Sequence, residues 1–264
     1  MPEARTPKRR EGRDFRRDPF IRSIKLRPQE TAAAPEYPFS IPAVRQLGIL
    51  ELHPKVTFLV GENGSGKSTL LEAVAIAAGF NPEGGTKNFR FATRASLSSL
   101  HEVLTLVRGV RRPRTGYFLR AESFFNAATY IEGLDSEGGG GASVIGSYGG
   151  RSLHEQSHGE SFWALFMHRF GPQGLYILDE PEAALSPMRQ LAFLRRMHEL
   201  TCDQASQFIV ATHSPFLMAY PEATIHLLSE RGIRPVAYEE TEHFQLARGF
   251  FGNRDKLLKE LLAD

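Results

Sequence analysis

The sequence predicts an α/β fold with a mostly parallel core sheet flanked by helices, plus an antiparallel β portion. Three stretches carry this expectation. Residues 56–60 (VTFLV) form a short apolar run rich in β-branched residues, the pattern of a strand buried on both faces. A glycine-rich turn follows. Residues 68–78 are then good helix formers that stop at Gly79, with Pro82 just beyond. Two further apolar runs, at 174–178 and 207–212, lead directly into polar residues, Asp179-Glu180 and His213. In an open parallel sheet, functional residues collect at these C-terminal strand ends.

Taken in order, residues 1–30 hold ten Lys/Arg against five Asp/Glu and few apolar side chains, so a basic, flexible tail is expected, followed by one domain over 31–264. Residues 37–52 alternate loosely and are expected to supply the antiparallel strands, with Pro42 and Pro54 limiting their regularity. Leu97, Leu100, Leu104 and Val107 recur at helical spacing, and 115–119 (TGYFL) reads as a strand. Residues 135–150 contain seven glycines and form the most flexible-looking loop of the chain. A loop of that length between ordered elements is more often functional than idle.

The second half is more regular. Ser157-x-x-Glu160 before an aromatic run is a capping-box pattern, which places a helix over 161–170. Ser186 caps a helix that opens on Pro187 and runs to about Leu200. Residues 224–229 and 233–238, split by Glu230-Arg231-Gly232, read as a hairpin, and 255–262 as an amphipathic helix.

Bulk properties exclude several classes. A chain of 264 residues with 41% hydrophobic content can build one sizeable α/β domain. No apolar run approaches the eighteen or so residues of a membrane span, so no direct membrane insertion is expected. The charged N-terminus lacks the apolar core of a secretory signal. One cysteine, Cys202, excludes an internal disulfide framework and suits a reducing cytoplasm.

The glycine turn reads Gly61-Glu62-Asn63-Gly64-Ser65-Gly66-Lys67-Ser68-Thr69 and fits the phosphate-binding loop pattern. Glycines let backbone N–H groups approach a phosphate with no Cβ in the way, and the following helix N-terminus adds its dipole. Lys67 can reach the β- and γ-phosphates of ATP, and the Ser68 hydroxyl can ligate Mg²⁺. Asp179 would hold that Mg²⁺ from the opposite side, directly or through water. Glu180 could polarise the attacking water, and His213 could contact the γ-phosphate and steady Glu180.

The order of phosphate loop, Ser-x-Gly-Glu stretch, LDEPEAAL and THSP resembles the ABC-type ATPase family of P-loop NTPases, over roughly residues 38–240. The resemblance implies ATP hydrolysis by a homodimer that closes head to tail around ATP. It places Ser157 and Gly159 in a signature motif acting in trans, and Glu122 near the family's Gln loop. It also implies a small helical, signature-bearing subdomain inserted over approximately residues 85–170. The signature reads SHGES rather than LSGGQ, and Glu122 stands where a Gln is usual. EPEAALSP looks more like the stand-alone, DNA-repair or phage-defence branches. The interval of about 87 residues between Thr69 and Ser157 is too short for the long coiled-coil arms of chromosome-maintenance ATPases.

Three partner classes follow: a nucleic acid or nuclease effector, a separate membrane protein served by a transporter ATP-binding subunit, or a scaffold that hardly hydrolyses. The first is favoured over the transporter subunit, and the intact Asp179-Glu180-His213 set argues against the scaffold.

Overall fold

Every residue of Val56–Val60, Gly174–Asp179 and Gln207–Ala211 is buried, and these strands are the centre of the molecule. The structure, a computed structural model, describes residues 18–27, 36–87, 98–120 and 158–263. In chain order its elements begin with β1 (Ile21–Leu26), α1 (Pro42–Arg45), β2 (Ile49–Glu51), β3 (Val56–Val60) and α2 (Lys67–Ala78). Next come α3 (Leu100–Val103), β4 (Leu104–Arg108), β5 (Thr115–Arg120), α4 (His158–His168), β6 (Gly174–Asp179), α5 (Pro187–Cys202) and β7 (Gln207–Ala211). The last are α6 (Pro215–Met218), β8 (Ala223–Ser229), β9 (Gly232–Val236), α7 (Glu242–Gly252) and α8 (Arg254–Leu261).

The main sheet runs β5-β6-β7-β3-β8-β9, parallel throughout except for β9, which turns back on β8. Pro235 is tolerated in β9 because that strand is an edge and has one side free of ladder bonds. Side chains alternate between the two faces with period two. Val56, Phe58 and Val60 join Tyr176, Leu178, Phe208 and Val210 on one face, under α4 and α5. Leu59, Leu175, Ile177, Ile209 and Ala211 point to the other face, under α2.

Helix α2 is apolar almost all round, with Leu70, Leu71, Ala73, Val74, Ala75 and Ala78 buried. That is the pattern of a helix with neighbours on both sides. One side meets β6 and β7, and the other meets a second, antiparallel sheet of order β2-β1-β4. On the opposite face α4 is fixed by aromatic contacts: Phe166 stacks on Phe193 at 4.4 Å, and Phe170, just past the helix, stacks on Tyr176 at 4.2 Å. Among the described residues no helix is long and apolar enough to cross a membrane.

The small sheet departs from the sequence expectation in three places. Ile21–Leu26 lies inside the stretch expected to be a flexible tail, yet Ile21, Ile24 and Leu26 are buried in the core over α2. The charged residues between them, Arg22 and Lys25, occupy the outer positions of a strand. Residues 37–52 give only the three-residue strand β2, because Pro42 opens the short helix α1 instead. The helical spacing through 97–107 yields α3 and then a strand, since Leu104–Arg108 completes the antiparallel ladder with β1. Helix α7 had no forecast. The glycine-rich loop at 135–150, Leu97, residues 1–17 and most of the expected helical subdomain lie outside the described residues.

Two side chains tie the sheets: His226 of β8, whose Nε2 lies 2.9 Å from Glu51 O of β2, and Gln207 of β7. At the register irregularity between Ile21 and Ser23, Gln207 Oε1 accepts from Ile21 N at 3.0 Å. Its Nε2 donates to Ile21 O at 2.8 Å and to His53 O at 3.1 Å. Gln207→Leu keeps the volume but strands three backbone groups, so it should cost roughly 1–3 kcal/mol in urea unfolding. An unchanged midpoint would show that the bonds contribute nothing to joining the sheets.

Candidate functional site

β3 delivers the chain into residues 61–66, which wrap back to the start of α2. Gly61 has φ +149° and a Cβ there would sit 2.3 Å from the Leu228 carbonyl oxygen of β8. Gly66 has φ +97°, and its Cβ would be 2.8 Å from Ile41 Cγ2. Both positions therefore demand glycine for conformation and for space. Gly66 is the N-cap of α2 and offers no side-chain cap, so the helix's first N–H groups are left facing the loop. Ser65 Oγ is buried there and has no hydrogen-bond partner.

Lys67 is buried in the middle of this ring, its ammonium donating to Gly61 O at 2.8 Å and Glu62 O at 2.9 Å. Burial holds it below the usual lysine value, opposed by the carboxylates of Glu180, Asp179 and Glu182. Ser68, in the first turn of α2, donates its Oγ to Asp179 Oδ1 at 3.0 Å. Asp179 is the last residue of β6, two strands away from β3 in the sheet. A hydroxyl facing a carboxylate is a hard oxygen pair, the donor chemistry that suits a magnesium ion sharing its remaining ligands with phosphate and water. Among the described residues no group of three or more His, Cys, Asp or Glu side chains forms a self-sufficient metal site.

Glu180 follows at φ 49°, ψ 53°, a left-handed conformation that costs a non-glycine residue energy. The turn is held by Glu180 N donating to Ala211 O at 2.9 Å, and it opens onto a 3-10 turn at Pro181–Ala184. Its carboxylate stands 3.6 Å from His213 Nε2. His213 is placed by two contacts that no local motif announced. Its backbone N–H donates to Glu182 Oε1 at 2.6 Å, and its Nδ1 lies 2.9 Å from Nε2 of His243, on α7. Burial pushes the Glu182 carboxyl up, and the His213 N–H acts against that shift. Burial pushes His213 down, reinforced by Lys67 and His243 and countered by Glu180.

The phosphate-loop residues Gly61 to Thr69 thus meet Asp179, Glu180 and His213 at one sheet edge. Thr69 Oγ1 also lies 3.2 Å from Tyr37 OH. Gly159 is elsewhere: it sits in the first turn of α4, where a Cβ would lie 2.8 Å from Arg189 Nη1 and 2.9 Å from Ala184 O. Ser157 and Glu122 lie outside the described residues. Just before Glu122, Arg120 closes β5 beside Asp179 and pairs with Glu72 of α2 at 2.7 Å, a link across the site's floor that the sequence reading missed.

A loop of this shape between buried strand and helix, facing an acidic strand end, marks a P-loop nucleotide hydrolase. The sequence matches sharpen the class to an ATPase, through two partial stretches that each match an AAA-domain family. Residues 42–118 match the family described as "AAA domain", and residues 141–219 match the family described as "AAA domain, putative AbiEii toxin, Type IV TA system".

Similar solved structures include the SMC head domain from Thermotoga maritima, at 18% identity and TM-score 0.42, covering 82% of this chain and 99% of that one. The dimeric bacterial ABC transporter cassette MJ0796 is 14% identical at TM-score 0.48, covering 85% and 99%. The structure of cbiO1 from Clostridium perfringens, part of the ABC transporter complex cbiONQ, is 14% identical at TM-score 0.42, covering 80% and 89%. No curated protein matches the chain by sequence.

Burial depresses four histidines, His53, His213, His226 and His243, below the ordinary value of 6.5. The unfolded chain therefore takes up more protons as pH falls through 6.5, and the stability held above that pH is lost progressively below it. The raised Glu182 acts in the opposite sense at lower pH, so the clean window lies between about pH 7.5 and about pH 6. The urea midpoint should drop across that window; a flat or rising midpoint would contradict the burial argument.

Proposed function

We propose that this chain is an ATP-driven dimerisation switch, and that the Ser68–Asp179 contact at 3.0 Å is the observation that carries the reading. Lys67 exchanges the Gly61 and Glu62 carbonyls for the β- and γ-phosphates of ATP. The N–H groups of residues 61–69 and the orphaned Ser65 hydroxyl supply the remaining donors. Ser68 and Asp179 would hold Mg²⁺, which when bound neutralises charge on the phosphates. Glu180 accepts a proton from the attacking water, and His213 steadies Glu180 while facing the γ-phosphate.

What supports a dimer is the openness of the reacting edge. Glu180 and His213 keep 41% and 30% of their side-chain surface exposed, although water must be limited there for productive hydrolysis. In a head-to-tail pair Ser157 and Gly159 of a second copy would act on the phosphate, where the N-terminal end of α4 favours an anion. ATP then binds the closed state better than the open one, which is what shifts a population.

The partner we infer is nucleic acid or an effector acting on it, in repair or phage defence. The description of the family matched over residues 141–219 names a toxin of a type IV TA system, which supports an effector role over a transporter subunit. The basic N-terminal residues supply the complementary charge. DNA binding should weaken steeply with salt and vanish on deleting residues 1–17, which leaves β1 intact. Salt-independent binding, or none in the full chain, would remove this partner.

Two substitutions test the core reading. Lys67→Ala should abolish ATP binding in calorimetry. Glu180→Gln should bind ATP, lose about 10²–10⁴-fold in turnover and accumulate as a dimer in size-exclusion chromatography with ATP. Wild-type turnover in Glu180→Gln would overturn the role given to that carboxylate.

A further inference from the structure

His243 reaches the site by a hydrogen bond to His213. The two ring nitrogens, His213 Nδ1 and His243 Nε2, are 2.9 Å apart, so one must carry a hydrogen and the other a lone pair. Two arrangements satisfy that requirement. If His213 donated from Nδ1, its other nitrogen would be bare and would turn a lone pair toward the Glu180 carboxylate at 3.6 Å. If His243 donates instead, His213 carries its hydrogen on Nε2 and offers it to the Glu180 oxygen. Only the second arrangement places opposite partial charges at both ends of the His213 ring.

The start of α7 is built to hold this contact. Thr241 caps the helix by accepting from Phe244 N at 3.4 Å. Tyr238 packs on Phe244 with ring centroids 4.7 Å apart, and its hydroxyl donates to Pro215 O at 2.9 Å. Pro215 is two residues beyond His213, so the segment that presents His243 is anchored on the loop that presents His213. Both imidazoles are pushed toward the neutral form by burial, and the helix N-terminus adds to that for His243. Neutral rings are the state in which a tautomer can be selected.

We propose that His243 is a positioning residue for ATP hydrolysis, fixing the His213 tautomer so that the Nε2–H faces Glu180 and the γ-phosphate. This rests on the reading of Glu180 and His213 given above. A bare Nε2 would repel both anionic groups, whereas an N–H donates to either and costs no reorganisation during the reaction. The role matches that of an outer hydrogen-bond partner that orients an imidazole, whose loss typically costs about 10- to 100-fold.

The test uses the full chain with ¹⁵N-labelled histidine. Long-range ¹H–¹⁵N spectra of the unmodified protein should show His213 protonated at Nε2 and bare at Nδ1; the reverse tautomer overturns the proposal without any variant. In His243→Ala, His213 should become a tautomer mixture and kcat should fall about 10- to 100-fold, with little change in the KM for ATP. His243→Gln places an amide N–H where Nε2 stood and should recover both the tautomer and most of kcat. Unchanged kcat in His243→Ala, or no recovery in His243→Gln, contradicts the role. If His213→Ala itself turns over ATP normally while the spectra behave as expected, the tautomer contact stands and the catalytic reading of His213 is what fails.

Discussion

A single constraint underlies the site: Ser68 at the start of α2 must face Asp179 at the end of β6, 111 positions later in the chain. Helix α2 follows β3, and β7 lies between β3 and β6 in the sheet. The contact therefore exists only if three parallel strands assemble in that order and register. Phe58 opposite Val210 and Leu178 opposite the same residue set that register, and their burial makes a one-residue slip costly. The apolar core thus fixes the distance between two polar groups that have no sequence neighbourhood in common.

That arrangement is electrostatically expensive, and the structure shows how the cost is distributed. Lys67 is buried but satisfied by two loop carbonyls, which a triphosphate can replace with stronger, charged acceptors. Glu182 is half-buried behind the site and is engaged by the His213 N–H, so a carboxylate that does no chemistry sets the backbone of a residue that faces it. Glu180 occupies a left-handed backbone conformation, a form of local strain that is characteristic of functional turns. Nucleotide binding would relieve the first of these terms directly, which links occupancy of the loop to stability of the whole edge.

The central strands were legible because their signal is local. Residues 56–60, 174–178 and 208–211 are mostly apolar runs, and each runs into a turn whose residue types have few other uses. The small sheet was not, because its strands are interrupted by charge: in Ile21-Arg22-Ser23-Ile24-Lys25-Leu26 the buried positions are separated by long, solvent-seeking side chains. Within a stretch of high charge, that pattern reads as a solvated leader. Leu104–Arg108 misled in another way, since leucines at 100 and 104 satisfy a helical period while Leu104 and Leu106 satisfy a strand period. Pairing with β1 decided it. His243 could not have been found from the sequence at all, because its contact with His213 crosses 30 positions and carries no motif. Glu182 was visible in EPEAAL, but its grip on the His213 backbone depends on how β6 and β7 end side by side.

The most direct check on the account is a double-mutant cycle on the Mg²⁺-dependent part of ATP affinity, measured by calorimetry for the unmodified chain, Ser68→Ala, Asp179→Asn and the double variant. If the two groups hold one cation together, each single variant loses most of the Mg²⁺-dependent gain and the double variant is little worse than either, because the second change removes an interaction already gone. Losses that simply add, or a Mg²⁺-dependent gain that survives both changes, would mean that the pair does not form a shared site.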